Sequence, residues 1–426
     1  MTKMNRLLLA FLLLHPALVH AQMVLLDRQA DGESPGVNVL RGSYGMAVSP
    51  DGLNVYASGS LDNGLVVFSL DPGSGTLAPL QELVDGQNGI TSLAGVRDAA
   101  VSPDGLHVYS AALSDSAVSV FARAPGSGTL TLVQAIFDLN TGGSFDGLGG
   151  AMSVLVSPDG AHVYVGARSD DAVVAFARDS GSGMLTLIAV YQNMVPPVVG
   201  LDAPESIVIS PDGNHLYAAA ETSQALVGFT RNPATGALSY LNTWFDGVGG
   251  VDGLGCVNDL EISPDGKHVY AVGQFGAPSQ PFCTVGFDDW MGIFSRNTTS
   301  GELSFVAAPN PDDFGLPINC GGVAGDNGVA VAPDNGRVYA TVQWLAALVE
   351  MDRDSTSGLL NLRSFQCADL SDPDTVVDLI SAHEISIASS GSPVLVSALS
   401  PGTVLSYEPV LHVDGFETLT PLLPGR

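Results

Sequence analysis

Positive charge is nearly missing from this chain. Its 426 residues hold 15 Lys and Arg against 44 Asp and Glu, a formal charge of -29, and only Lys3 and Lys267 are lysines. Tight contact with nucleic acid or an anionic membrane surface draws on a basic patch that releases counterions, so both are poor partners. Calcium, cationic ligands or simple solubility suit such acidity better. Cysteine is scarce too: Cys256, Cys283, Cys320 and Cys367 stand far apart, with none of the C-x-x-C spacing of a zinc site. Beyond the first residues no apolar run approaches the ~20 residues that a spanning helix requires. Charged residues make up 14% and hydrophobic ones 46%, so the charge is lopsided rather than dense and the chain folds.

The N-terminus reads as a sorting signal. Lys3 and Arg6 precede the apolar run Leu7 to Leu14, and Val19-His20-Ala21 fits a small-residue cleavage site. The segments expected are therefore a signal peptide over 1–21, a folded body over 22–410 and a tail over 411–426 with no assigned role. The exported body, periplasmic or secreted, has a charge of -31, because the leader takes Lys3 and Arg6 with it and holds no acid. An even cysteine number in an oxidising compartment predicts two disulfides, with three pairings open.

What the chain has in abundance is repetition. "SPDG" begins at Ser49, Ser102, Ser157, Ser210 and Ser263, and "APDN" begins at Ala332, at intervals of 53, 55, 53, 53 and 69 residues. An eroded seventh copy starts at Ile385. Each unit reads as four short strands: an alternating strand such as "IVIS", a tight Ser-Pro-Asp-Gly turn, "HVYSAA", a polar hairpin, "AVSVFAR", a Gly-rich turn and "LTLVQ". Four antiparallel strands repeated seven times predict an all-β, seven-bladed β-propeller. The seventh unit has no fourth strand of its own. "MVLLDRQ" from Met23 resembles one, and is expected to close the ring and remove its exposed edges.

Antiparallel order puts the "SPDG" and Gly-rich turns on one face, and the hairpins and blade-to-blade loops on the other. Variation gathers on the second face, where function usually sits on a rigid scaffold. All four cysteines map there. Five residues before each turn stand Tyr44, Arg97, Met152, Glu205, Asn258, Asn327 and His383; Asp98, Asp259 and Glu384 are among those one residue later. These polar positions are expected to line the mouth of the central channel. His107, His162, His215 and His268 recur at one repeat position, which marks a scaffold choice. Asp138 and Asp146, with Asp246 and Asp252, raise the expectation of weak calcium binding, although the later ligands of a calcium loop are missing. No other cofactor is expected.

The "SPDG-x-x-VY" repeat, the seven units and the closing strand resemble the seven-bladed lactonase family, which includes 6-phosphogluconolactonases and carboxymuconate cyclases. The resemblance covers residues 23 to 408. It implies a lactone-processing site with a His in the third blade, an Arg-His pair and a Glu in the fourth, and an Arg in the fifth. Here those positions read Met152, Glu205 and Ser206, Glu221, and Gln274. Only Glu221 matches. Glu205 in place of a cation repels an anionic sugar acid and removes a donor for the developing oxyanion.

The leading expectation is accordingly an exported, monomeric binding module that meets an unknown protein or small molecule through its loop-rich face. The alternative is a lactone hydrolase or cycloisomerase with a rebuilt site. Its candidate catalytic residues are Glu221, Arg97 and His383, with Asp98, Glu205, Asn258, Asp259, Gln274, Asn327 and Glu384 as the surrounding ligand positions.

Overall fold

The computed structural model describes residues 23–273, 290–314, 327–342, 346–367, 379, 381–400 and 402–409. The leader, the tail from 411, and the expected positions Gln274, Cys283 and Cys320 lie outside them. Neither described cysteine, Cys256 or Cys367, is a free thiol. No helix among the described residues is long and apolar enough to cross a membrane.

Alternating strands and Gly-rich turns build seven sheets of four antiparallel strands, arranged in a ring. The first strand of each blade lines the channel, as Val96–Val101 does in blade two, and the fourth faces outward, as Leu130–Phe137 does. Second strands such as His107–Ala112 are buried along their whole length. Val24–Ala30 pairs antiparallel with Thr403–Glu408 and completes blade seven, so the N-terminal strand closes the ring. The core is not one mass. Seven apolar clusters hold it, each seated between neighbouring blades; Val120 of blade two, for example, meets Val163 and Phe176 of blade three.

Five blade interfaces share a polar clamp beside that apolar seam. Arg231, at the end of the third strand of blade four, reaches into blade three. Its Nε donates to the Tyr164 hydroxyl at 2.9 Å, its Nη2 to Asp159 and to His162 Nδ1 at 2.7 Å each, and its Nη1 to the Gly213 carbonyl at 2.8 Å. Tyr164 in turn donates to the Gly236 carbonyl in the outer turn of blade four, at 2.8 Å. Arg178, Arg296 and Arg353 repeat the set with His107, His215 and His268. In blade one Asn54 accepts from Arg123 where the others use histidine. This accounts for the recurring histidines: guanidinium only donates, so each imidazole is neutral and accepts at Nδ1. The ring closure differs. Leu395 of blade seven and Leu70 of blade one take the places of Tyr and Arg, and they share one apolar cluster.

Burial, then the adjacent arginine charge, lower the pKa of all four clamp histidines below the ordinary 6.5. Folding therefore favours their neutral form. The stability they contribute is present above pH 6.5 and is lost as pH falls through the depressed values. His162→Asn, copying blade one, keeps the acceptor and removes the titration. Melting temperatures from pH 7 to pH 5 should fall less for this variant than for the parent, and equal falls would contradict the assignment. Arg231→Met leaves Asp159, Tyr164 and His162 without their shared donor and should cost about 3–5 kcal/mol in denaturant unfolding.

Candidate active site at the channel mouth

A strand that alternates strictly sends only every second side chain into a channel. Here the inner strands escape that rule. Their pairing with the second strand slips between Val96 and Asp98, Ala151 and Ser153, Pro204 and Ser206, Val257 and Asp259, and Ala382 and Ile385. Each slip is a bulge, and bulges re-aim side chains. Two consecutive residues per blade thus face the mouth: Arg97 with Asp98, Glu205 with Ser206, Asn258 with Asp259, His383 with Glu384. They surround a cavity of about 160 Å³.

One arc of the mouth runs through blades seven, one and two. The His383 and Tyr44 rings lie 3.9 Å apart between centroids, and the Arg97 guanidinium sits over Tyr44, also 3.9 Å from its centroid. Arg97 Nε has no hydrogen-bond partner. Three second-strand hydroxyls hold this arc. Ser58 Oγ accepts from Gly45 N at 2.9 Å and donates to the Arg97 carbonyl at 3.1 Å. Ser397 accepts from Glu384 N at 3.1 Å and donates to the Tyr44 carbonyl at 2.6 Å. Thr341 accepts from Gly328 N at 2.6 Å and donates to the His383 carbonyl at 3.0 Å. Each hydroxyl ties its own inner strand to the backbone at the head of the next blade's inner strand. Gly45 permits the approach: a Cβ there would lie 2.6 Å from the Arg97 carbonyl oxygen.

The facing arc is built on Arg168, at the hairpin end of blade three, which ion-pairs with both Glu205 and Glu221. Glu221 is buried and does not line the cavity. The expected meeting of Glu221, Arg97 and His383 is therefore corrected: Arg97 and His383 share an arc, and Glu221 stands with Arg168. Asn327 is corrected as well. It is fully buried, and its amide donates to the Gly273 carbonyl at 2.5 Å, outside the cavity lining. Asn258 donates to the Asn327 carbonyl at 2.7 Å and joins blades five and six.

Sequence reasoning placed Tyr44 at the mouth but passed over Arg168 and Glu261. Arg168 carried a signal, being the one cation at its repeat position, and Glu261 is the one charged residue two before a turn. Glu261 lies deeper in the channel, beneath Asp259. Asp98 accepts from Ala99 N at 2.7 Å and from Val154 N at 2.8 Å in the next blade. Asp259 accepts from Ser206 and Leu260 N on one oxygen and from Val329 N at 2.9 Å on the other. Burial pushes Asp98 up to about 7. Burial and the neighbouring Asp259 charge push Glu261 up to about 8. Burial, then the charges of Asp259, Asp98 and Glu261, raise Glu384 well above the usual range. These carboxyls manage their repulsion by holding protons. Among the described residues the metal-like grouping lies elsewhere: Asp138, Asp146 and Asp170 bring ligand atoms within 4.8 Å of one another, without Asp246 or Asp252. Asp138 there accepts from three backbone amides, of Asn140, Gly147 and Leu148.

A carboxyl whose folded pKa is raised favours the fold while protonated and loses that contribution as pH climbs through the folded value. For Glu261 the window runs from its ordinary value near 4.5 to about 8. Glu261→Gln should therefore gain stability over the parent at pH 8 and gain less at pH 5, measured by thermal melting. A gain independent of pH would contradict the buried titration.

The comparisons with known proteins agree with this architecture. A family model described as lactonase, 7-bladed beta-propeller, matches residues 34–142 and 86–258. No curated protein matches the sequence. Among solved structures, a periplasmic gluconolactonase of Pseudomonas aeruginosa is 20% identical with a TM-score of 0.57, over 75% of this chain and 83% of that one. A Bacteroides uniformis protein assigned as a 6-phosphogluconolactonase gives the same figures. The hydrazine synthase of Kuenenia stuttgartiensis is 17% identical, covering 88% and 98% at a TM-score of 0.56, so the fold hosts unrelated chemistries. The family match spans more than half of the sequence, and the chain belongs to the seven-bladed β-propeller lactonase family.

Proposed function

We propose that this protein is an exported lactone hydrolase whose site is the channel mouth. The observation that carries the reading is the pairing of Arg97 and Asp98 on one bulge, facing a cavity large enough for one small ring. Hydrolysis of a lactone needs a donor for the oxyanion that forms at the carbonyl, and a group that takes a proton from the attacking water. Arg97 supplies the first, with an Nε left over from its stacking on Tyr44. Asp98, held near neutrality, supplies the second. Water adds to the carbonyl carbon, the ring C–O bond breaks, and the proton passed through Asp98 returns to the leaving alkoxide, giving a hydroxy acid. His383 lies on the same arc, against Tyr44, and is the second group there able to carry a proton.

Family membership and this cavity favour hydrolysis over the binding-module reading, whose elaborated fifth-blade loop falls on residues outside those described. The leader pattern of Lys3, Arg6 and Leu7 to Leu14 supports export. So do the absence of free thiols among the described cysteines and the fold shared with a periplasmic gluconolactonase. Two disulfides among the four cysteines belong to the same proposal.

Acid release from a panel of lactones by the purified chain tests the reading. Arg97→Gln should lower kcat about 10²–10³-fold, the usual loss of one oxyanion donor. The parent's kcat/KM should rise with pH to a plateau with an apparent pKa of about 7. Turnover no faster than buffer, from folded protein, would sink the proposal.

A further inference from the structure

Under the Arg97 arc the channel narrows onto carboxyls that no protein group fully satisfies. The Glu384 carboxylate receives no hydrogen bond among the described residues, and Glu261 receives only that of its own neighbour, Ile262 N, at 3.0 Å. Ser153 on the cavity wall is 7% exposed, and its Oγ has no partner. Enclosed polar groups in native proteins are normally paired, and unpaired ones call for an explanation. Acceptors left open around a cavity fit a ligand that brings donors.

Cations do not balance this throat. Arg168 is already bound to Glu205 and Glu221, and Arg97 is held over Tyr44 on the opposite side. An incoming phosphate or carboxylate would meet Asp98, Asp259, Glu261 and Glu384, and the unpaired Arg97 Nε is taken up by the lactone carbonyl in the proposed reaction.

We infer that the throat is a subsite for the hydrogen-bond donors of the substrate, its hydroxyls or an ammonium. The enzyme then takes lactones without an anionic substituent and turns away phosphorylated or carboxylated ones. This rests on the lactone hydrolase reading of the same mouth. It adds Glu384 and Glu261 as the groups that set specificity.

The test compares kcat/KM for three probes on the full mature chain: glucono-δ-lactone, 2-amino-γ-butyrolactone in its ammonium form, and 6-phosphoglucono-δ-lactone. The phosphorylated probe should be at least about tenfold worse than the better of the other two, because no cation is left to neutralise it and its charge opposes ionisation of the throat carboxyls. Preference for the neutral probe assigns the throat to hydroxyls, and preference for the amine assigns it to a cation. Glu384→Gln and Glu261→Gln, each checked for folding by circular dichroism, should narrow the gap by raising KM for the preferred probe and easing entry of the phosphate. Equal turnover of the phosphorylated probe, or a gap unchanged in both variants, overturns the inference and leaves lactone hydrolysis standing. No turnover of any probe removes the hydrolase reading and this inference with it.

Discussion

The clamp that each arginine makes across a blade interface is the interaction on which the rest of this structure depends. Apolar packing between two blade faces is not directional. Left to packing alone, neighbouring blades would be free to slide. A buried guanidinium with donors fixed in a fork leaves only one relative placement in which Tyr, Asp, His and a turn carbonyl are all met. Five interfaces carry that constraint, and the remaining ones meet through other contacts, the apolar Leu70 and Leu395 pair at the closure among them. The clamps sit at the turn face, away from the channel mouth. They set a rigid frame, and the other end of the inner strands is left to carry chemistry.

That end obeys different rules. Bulges at the head of five inner strands place two successive side chains per blade in the mouth, and hydroxyls from Ser58, Thr341 and Ser397 fasten the heads of three inner strands to the adjoining blades. Blades two and five, which lack such a hydroxyl, use carboxylates: Asp98 bonds to blade three, and Asp259 to blades four and six. The same acids are therefore structural ties and titrating groups. Their enclosure favours the protonated forms and so eases the repulsion of several carboxyls in a narrow channel.

The fold was legible because its determinants are local and repeated. The Ser-Pro-Asp-Gly turn, the strand alternation and the fifty-odd residue period each mark one element, and the missing fourth strand of blade seven pointed to Val24–Ala30. The scaffold role of the four histidines followed from recurrence alone, before their arginine partners were known. The site was only partly legible. Arg97, Asp98, Glu205, Asp259, His383 and Glu384 fell at the mouth as expected, since register along one strand is enough to place them. What register cannot supply is which residues meet across the ring. Arg168 and Glu221 come from hairpins of different blades, and their joining to Glu205 depends on blade rotation, which no local pattern encodes. Asn327 was misplaced for a related reason: its side chain is tied across to the Gly273 carbonyl of blade five, a partner that register along one strand does not reveal.

In the proposed hydrolase a clamped ring presents Arg97 to a lactone carbonyl at the channel mouth. An unreactive lactam, with the same ring and carbonyl, tests it most directly when bound to the mature protein and located crystallographically. The lactam oxygen should lie within hydrogen-bond reach of the Arg97 guanidinium, with the rest of its ring directed toward Glu384. A lactam seated among the blade-to-blade loops, away from Arg97, would contradict it.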